Sequence, residues 1–481
     1  MKAFNFRMPP PVAYIISVMF EKGFAIITIP LMAQHLNPGD YGRLDVAVSL
    51  IEFIGLVMSF GMGDTLVRFA ATAAHGKEQN RCAAELMTGA VLIALVFGVA
   101  VQLAVPMIAH AININVSIPA LRWALVGATL SALVDMPMVW MRIQGRAGPY
   151  AIYMGARSVL QVLAMWLALR AGWGSDGILI ANGTAVLAFT LFVAGQMVYS
   201  VGLAFSWRAL KQIGNYGVPL VFASLAMFAL GSCNRWFLSG NVADADIGYL
   251  GLATKLALAA PMLLQPFALW WNPRRIAVLS RPGGIEESTW AFGLGYSVLI
   301  ISALGVALTG PVFIHLALPA AYIGACAYLP FVIGLCFLHE LNTLCNTGAF
   351  ARNNGYSVLQ ANVAGAITGI AGYALLTPAF GIAGVIAATA LGQFVRLCVA
   401  LWTGYALAPI PYPVVSSTFV FALAAVAIWL APAPSEPWMR IVWTALSVSA
   451  ISVTLVAVGL LRIPGSLLPH PLRRYLNAGV S

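Results

Sequence analysis

Charge is what this sequence has least of. Only 8% of its 481 residues are Asp, Glu, Lys or Arg, while 61% are hydrophobic and the mean hydropathy is +0.90. A soluble domain carries about 25% charged residues, so the composition excludes an aqueous fold and places the chain in a bilayer. Long polar runs are missing too. The longest, roughly 271–289, is of ordinary loop length and leaves no room for a separate soluble domain. The six cysteines (Cys82, Cys233, Cys326, Cys336, Cys345 and Cys398) form no CxxC and lie mostly inside apolar runs. They read as small buried hydrophobes rather than a disulfide framework. No GxxxxGK[ST] loop and no HExxH occur, and the six histidines are dispersed. No nucleotide hydrolysis, metal site, cofactor or catalytic residue is expected, and the protein is not read as an enzyme.

The formal charge of +10 comes from basic residues scattered singly among apolar runs, which excludes a nucleic-acid face. The first apolar run, from Val12 to about Leu31, is interrupted by Glu21-Lys22 and is too long for a signal-peptide core. It reads as a permanent helix.

A membrane helix needs about 20 mostly apolar residues. On that rule the chain holds about 14 spans, at 12–33, 44–62, 83–109, 118–141, 150–169, 177–200, 213–236, 247–270, 290–310, 321–345, 357–377, 382–406, 413–431 and 438–461. With the N-terminus inside, 16 loop Lys and Arg residues fall on the cytoplasmic side and 4 on the other. That asymmetry sets the orientation and puts both termini in the cytoplasm.

The stretch 213–275, two helices joined by the acidic turn Asp244-Ala245-Asp246, begins a second copy of the first half. Asp40-Tyr41-Gly42-Arg43-Leu44 matches Asp246-Ile247-Gly248-Tyr249-Leu250 at an offset of 206. Arg146 and Tyr150 match Arg352 and Tyr356 at the same offset, and Gly177-Ile178 matches Gly384-Val385 at 207. The fold class is therefore all-α and polytopic. Two six-helix lobes, 1–206 and 207–409, form a parallel repeat, followed by two further helices and a cytoplasmic tail at 410–481. Such repeats are related by an axis along the membrane normal, with a site near the midplane.

Leu36-Asn37-Pro38-Gly39-Asp40-Tyr41-Gly42, Gly61 through Arg68-Phe69-Ala70, Tyr216-Gly217-Val218-Pro219-Leu220, Asn234-Arg235-Trp236-Phe237-Leu238 and Phe380-Gly381-Ile382-Ala383-Gly384 carry a family resemblance over nearly the whole chain. The chain resembles polysaccharide transporters of the O-antigen flippase type, within the multidrug/oligosaccharidyl-lipid/polysaccharide flippase superfamily. The resemblance implies an inner-membrane flippase. It would move an undecaprenyl-diphosphate-linked oligosaccharide by alternating access, without ATP hydrolysis, for exopolysaccharide, capsule or O-antigen (lipopolysaccharide) biosynthesis, with polymerase machinery as a candidate partner. Many relatives carry Asp before the arginine of the seventh span. Here it is Asn234, which leaves Arg235 freer for an anionic ligand or another partner.

Cations inside apolar spans are costly and mark ligand paths or ion pairs. Arg235, Lys255, Arg157, Arg396 and Lys22 are the candidates for binding the substrate diphosphate, since arginine in particular offers a planar fork of donors. The competing reading is snorkelling or a structural ion pair. Among the embedded acids, Glu340, beside His339, and Asp135 lie at nearly equivalent depth in the two halves, as 340 and 134 differ by 206. They are the candidates for H+ or Na+ coupling. The alternative function is a multidrug/cation antiporter of the same superfamily, which would favour acidic cavity walls.

Overall fold

The computed structural model describes residues 23, 27–71, 73, 76–351 and 356–462. Every long element among them is a helix, as required where lipid offers backbone groups no partner. Spans two to ten are Pro38–Ala70, Lys77–Ala111, Ile118–Ile143, Ala147–Arg170, Gly174–Val201, Trp207–Gly231, Asp244–Trp271, Gly284–Ala317 and Ala325–Cys345. Spans eleven and twelve share the helix Tyr356–Leu407, which is 52 residues long. At 1.5 Å per residue it would reach about 78 Å, far beyond one bilayer core of about 30 Å. It is broken at Gly381, whose φ of 55° and ψ of −128° are non-helical, just after Pro378. Spans thirteen and fourteen are Val414–Trp429 and Pro437–Ala457. Most of the first expected span lies outside the described residues.

Local chemistry sets the ends. The Asn37 side chain accepts from the Asp40 N–H at 2.8 Å, Pro38 opens the helix and Asp40 sits in its positive first turn. Span two therefore starts six residues before its apolar run. It bends at Phe60 and Gly61, both left-handed, before continuing as Met62–Ala70. Span seven starts early as well. A short helix, Trp207–Gln212, runs through one wide turn, Ile213–Gly217, into Val218–Gly231. Its widened turn presses Gly217 onto the Phe60 carbonyl so closely that a Cβ there would collide.

Two compact units divide the chain. The first is Met1–Leu252 with Leu318–Gly324 and Ala366–Thr389; the second is Ala253–Ala317, Ala325–Gly365 and Ala390–Ser481. These units are not the chain-order lobes 1–206 and 207–409, which remain a division by sequence repeat. In the first unit, Leu66, Leu86, Met87, Met136, Trp140 and Met197 form a buried core. Span three turns most of its surface outward, with Leu103 78% and Met107 72% exposed, as a lipid-facing helix does.

The repeat has a physical counterpart in this unit. A Cβ on Gly42 would collide with the Asp244 carbonyl, and one on Gly248 would collide with the Pro38 carbonyl. The offset of 206 carries 38 to 244 and 42 to 248, so the two copies cross in a reciprocal contact. One turn further on, a Cβ at Gly251 would sit 2.7 Å from Asp45 Oδ2, and 45 and 251 are again a repeat pair.

In the second unit, spans thirteen and fourteen pack on span nine. Tyr296 donates to the Ser417 carbonyl at 2.5 Å. Arg440 is 6% exposed and donates from Nε to the Leu308 carbonyl and from Nη1 to the Pro432 carbonyl, each at 2.8 Å. Hydrogen bonds from a charged donor contribute about 1.5–3 kcal/mol. Arg440→Met is therefore expected to destabilise the protein by about 1.5–3 kcal/mol, read as a lower thermal midpoint of the detergent-purified protein. Arg440→Lys should restore it only in part, because a compact ammonium does not reproduce the guanidinium fork. An unchanged midpoint in Arg440→Met would mean that these carbonyls do not hold the last two spans.

Outside the spans, Arg275 begins the short helix Arg275–Leu279. Burial pushes its guanidinium pKa below the usual value. It donates from Nη1 to Asn346 Oδ1 at 2.7 Å and lies 4.1 Å from the Phe350 ring centroid, fastening the end of span eight to the end of span ten.

Candidate functional site

Spans two, four, five and six of the first unit line a half-open cavity of about 200 Å³ whose wall mixes apolar and polar groups. Gly55 leaves the span-two side open, with nothing within 4 Å of its would-be Cβ, while Gly127 and Gly183 let spans four and six pack closely behind the cavity. Into it come Asp135 from span four, Arg157 and Gln161 from span five and Asn182 from span six. Arg157 and Gln161 are four residues apart and so share a helix face. Gln161 donates to Asn182 Oδ1 at 3.0 Å, and Ser131 donates to the Gly55 carbonyl at 3.0 Å. Asp135 and Arg157 line the same cavity. Among the described residues they form no ion pair within 4 Å. The cavity thus offers a cation, a carboxylate and two amides to an occupant that is polar and can carry charge.

Arg235 has a different setting. It is 7% exposed, and its Nε donates to Asp45 Oδ2 at 3.0 Å while Nη1 donates to Asn234 Oδ1 at 2.7 Å and to the Gly231 carbonyl at 3.2 Å. Of the two alternatives that Asn234 leaves to Arg235, an anionic ligand or another partner, the structure shows a partner: Asp45, 190 residues earlier. Trp236 donates to Ser49 Oγ at 2.9 Å, and the Phe53, Phe228 and Trp236 rings pack with centroids 5.2–5.5 Å apart. This is a closed, fully partnered knot. At the neighbouring crossing Arg43 pairs with Asp244 at 2.8 Å.

In the second unit Arg396 is 5% exposed, and the partners within bonding distance are neutral. Nε donates to Asn362 Oδ1 at 2.8 Å, and Nη1 donates to Gln393 Oε1 at 3.3 Å and points at His339 Nδ1 at 3.5 Å. The Gln393 amide nitrogen lies 3.2 Å from the same His339 Nδ1. Both groups facing that nitrogen can only donate, so Nδ1 accepts and the ring proton sits on Nε2. Glu340, next to His339 on span ten, is half-buried. Lys255 is half-buried on span eight. Lys22 lies outside the described residues, as does Glu21.

The structure therefore brings Asp135 and Arg157 to one cavity and Glu340 and Arg396 to one cluster, while Arg235 sits in neither. Sequence reasoning missed Asp45 and the four amides. Gln161 follows Arg157 by four residues and Gln393 precedes Arg396 by three, a same-face spacing that was readable. Asp45 carries no such mark beyond its place beside the repeated Leu44.

The comparisons agree with this architecture. A model of the family described as polysaccharide biosynthesis protein matches residues 12–274, more than half of the chain. None of the curated proteins matches it in sequence. Among solved structures, lipid II flippase MurJ in an inward closed conformation superposes with a TM-score of 0.74 at 12% identity, covering 93% of this chain and 99% of that one. An inward-facing multidrug resistance MATE family transporter of the MOP superfamily gives 0.60 at 16% identity, covering 83% and 98%. The multidrug transporter DinF-BH gives 0.55 at 15%, covering 82% and 94%. At these identities the likeness is one of fold, shared by transporters rather than enzymes. A multi-pass membrane protein with this helix arrangement and this match is a member of the polysaccharide biosynthesis protein family, with a fold like that of the flippase and transporters it superposes on.

Proposed function

We propose that the protein is a bacterial inner-membrane flippase that moves an undecaprenyl-diphosphate-linked oligosaccharide to the periplasmic leaflet during exopolysaccharide, capsule or O-antigen biosynthesis. The observation that carries this reading is the convergence of Arg157, Gln161 and Asn182 on one cavity within the apolar bundle. A diphosphate is an acceptor-rich anion, and a guanidinium with flanking amides complements it. The family match to polysaccharide biosynthesis supports the same substrate class. Loop charge supports cytoplasmic termini. Arg396, Lys255 and Lys22 are assigned to later stages of the substrate path. Arg235, neutralised by Asp45, is assigned to holding the fold. Glu340 and Asp135 are the proposed H+ or Na+ coupling groups, and the polymerase that consumes the lipid-linked saccharide is the proposed protein partner.

The carboxylate of Asp135 in the same cavity favours one second reading, cation antiport. Flipping of a fluorescent undecaprenyl-diphosphate saccharide in proteoliposomes separates the two. Arg157→Ala is expected to slow flipping about tenfold to a hundredfold, the equivalent of one charge-assisted hydrogen bond of about 1.5–3 kcal/mol, with Arg157→Lys intermediate. Wild-type rates in Arg157→Ala would remove the diphosphate role. An inactive wild type whose uptake of a lipophilic cation depends on Asp135 would replace the flippase with the antiporter.

A further inference from the structure

A second concave site lies at the other end of the first unit from the Arg235 knot, where span two ends and span seven begins, on the side that loop charge assigns to the cytoplasm. It is a pocket of about 350 Å³. Arg68 comes from the last turn of Met62–Ala70, and Arg208 and Lys211 come from Trp207–Gln212, where a spacing of three residues puts them on one face. Its wall is aromatic: the Arg68 guanidinium lies 4.7 Å from the Tyr216 ring centroid, and Phe69 packs edge-on against Tyr216 at 6.1 Å. Gln212 and Asn215 add amides. Among the described residues none of the lining groups is acidic. On the adjoining span three, Glu85 is held by Arg81 at 3.0 Å. The wide turn Ile213–Gly217, pressed onto the Phe60 carbonyl, fixes Asn215 and Tyr216 against Arg68.

Topological charge bias alone scatters cations over convex loops; it gives no reason for three of them to converge on a hollow. A second observation sets the depth of the pocket. The segment entering it exposes Leu203 and Phe205 at 56% each and Trp207 at 76%, and the Phe205 and Trp207 rings pack edge-to-face at 5.2 Å. Exposed aromatic rings of this kind sit at headgroup level. The cations therefore meet the layer where lipid phosphates lie.

We propose that this pocket binds the phosphate or diphosphate headgroup of a lipid in the cytoplasmic leaflet. It rests on the flippase reading only for the identity of that lipid: there, the pocket is where the lipid-linked diphosphate first docks, before Arg157. The donors are side chains from two spans, so occupancy also ties the inner end of span two to that of span seven.

The test is native mass spectrometry of the full-length protein in detergent, titrated separately with undecaprenyl diphosphate, phosphatidylglycerol and inorganic diphosphate. Arg208→Ala/Lys211→Ala is compared with wild type and with Arg146→Ala, an exposed basic residue outside the pocket. Both pocket residues are exposed, and an unchanged thermal midpoint verifies that the variant folds. Expected is a loss of lipid binding of tenfold or more in the double variant and none in Arg146→Ala. Preference for undecaprenyl diphosphate supports substrate docking; equal loss of phosphatidylglycerol supports a bilayer phospholipid as occupant. Inorganic diphosphate binding as tightly as either lipid would overturn the lipid assignment, and equal binding by all variants would overturn the site. Binding is read without transport, so a wild type that binds but does not flip leaves the pocket standing while the flippase reading fails.

Discussion

Asp45→Ala is expected to destabilise the first unit by about 3–5 kcal/mol, the penalty of leaving one member of a buried ion pair without its partner. Both side chains are 9% exposed, and the Arg235 guanidinium is hydrogen-bonded on the Asp45 side at 3.0 Å. Its other partners, Asn234 Oδ1 and the Gly231 carbonyl, are neutral and cannot cancel the charge. Removing both charges is a smaller insult, because the desolvation penalty disappears with them. Asp45→Ala/Arg235→Met should therefore be more stable than Asp45→Ala alone, with a coupling energy of about 0.5–3 kcal/mol between the sites. Thermal midpoints of the four purified proteins in one detergent complete the cycle. Strict additivity would show that the contact contributes nothing to the folded state. Flipping by the double variant, once folded, would also separate the structural role of Arg235 from any part in holding the substrate.

Gly248→Ala should destabilise as well, and Gly42→Ala by a similar amount. In each case the new methyl would collide with a backbone carbonyl of the other copy, Pro38 for position 248 and Asp244 for position 42. A backbone carbonyl at a helix start cannot swing aside as a side chain can, so the helices must separate. Overpacking of this kind costs about 1–3 kcal/mol. The control has the opposite sign. Gly195, on span six, has nothing within 4 Å of its would-be Cβ, and Gly→Ala in a helix interior gains about 0.5–1 kcal/mol. Because the two crossing glycines share one contact, Gly42→Ala/Gly248→Ala should cost less than the sum of the singles, the first methyl having already parted the helices. A full sum would mean that the two positions are independent, and the reciprocal crossing would then have no energetic content.

Most of the fold was legible because the bilayer removes choices. Apolar runs of span length must be helices, and the break between spans eleven and twelve fell where Phe380-Gly381 punctuates the pattern. The expected ends moved where capping, not hydropathy, sets them. Asn37 and Pro38 draw span two back from residue 44, and Trp207 starts span seven before residue 213. The site was legible in part. Embedded cations stand out in any apolar run, but their partners are chosen by packing. Asp45 is 190 positions from Arg235 and sits at the edge of its own apolar run, so no local pattern connects them. The amides around Arg157 and Arg396 were hidden for another reason: uncharged polar residues in membrane helices are common enough that only their spacing from the cation sets them apart.

The crossing of the two copies carries one asymmetry. At each glycine contact the halves do the same thing to one another. At positions 45 and 251 they do not. One copy places a carboxylate there, and the other has no side chain at all, leaving 2.7 Å between Asp45 Oδ2 and the place where a Cβ would stand. Two acids on that axis would repel, and two glycines would strand Arg235. The halves have divided a task that neither can perform in duplicate, so the first half cannot be exchanged for a second copy of the other without unmaking the knot that both now share.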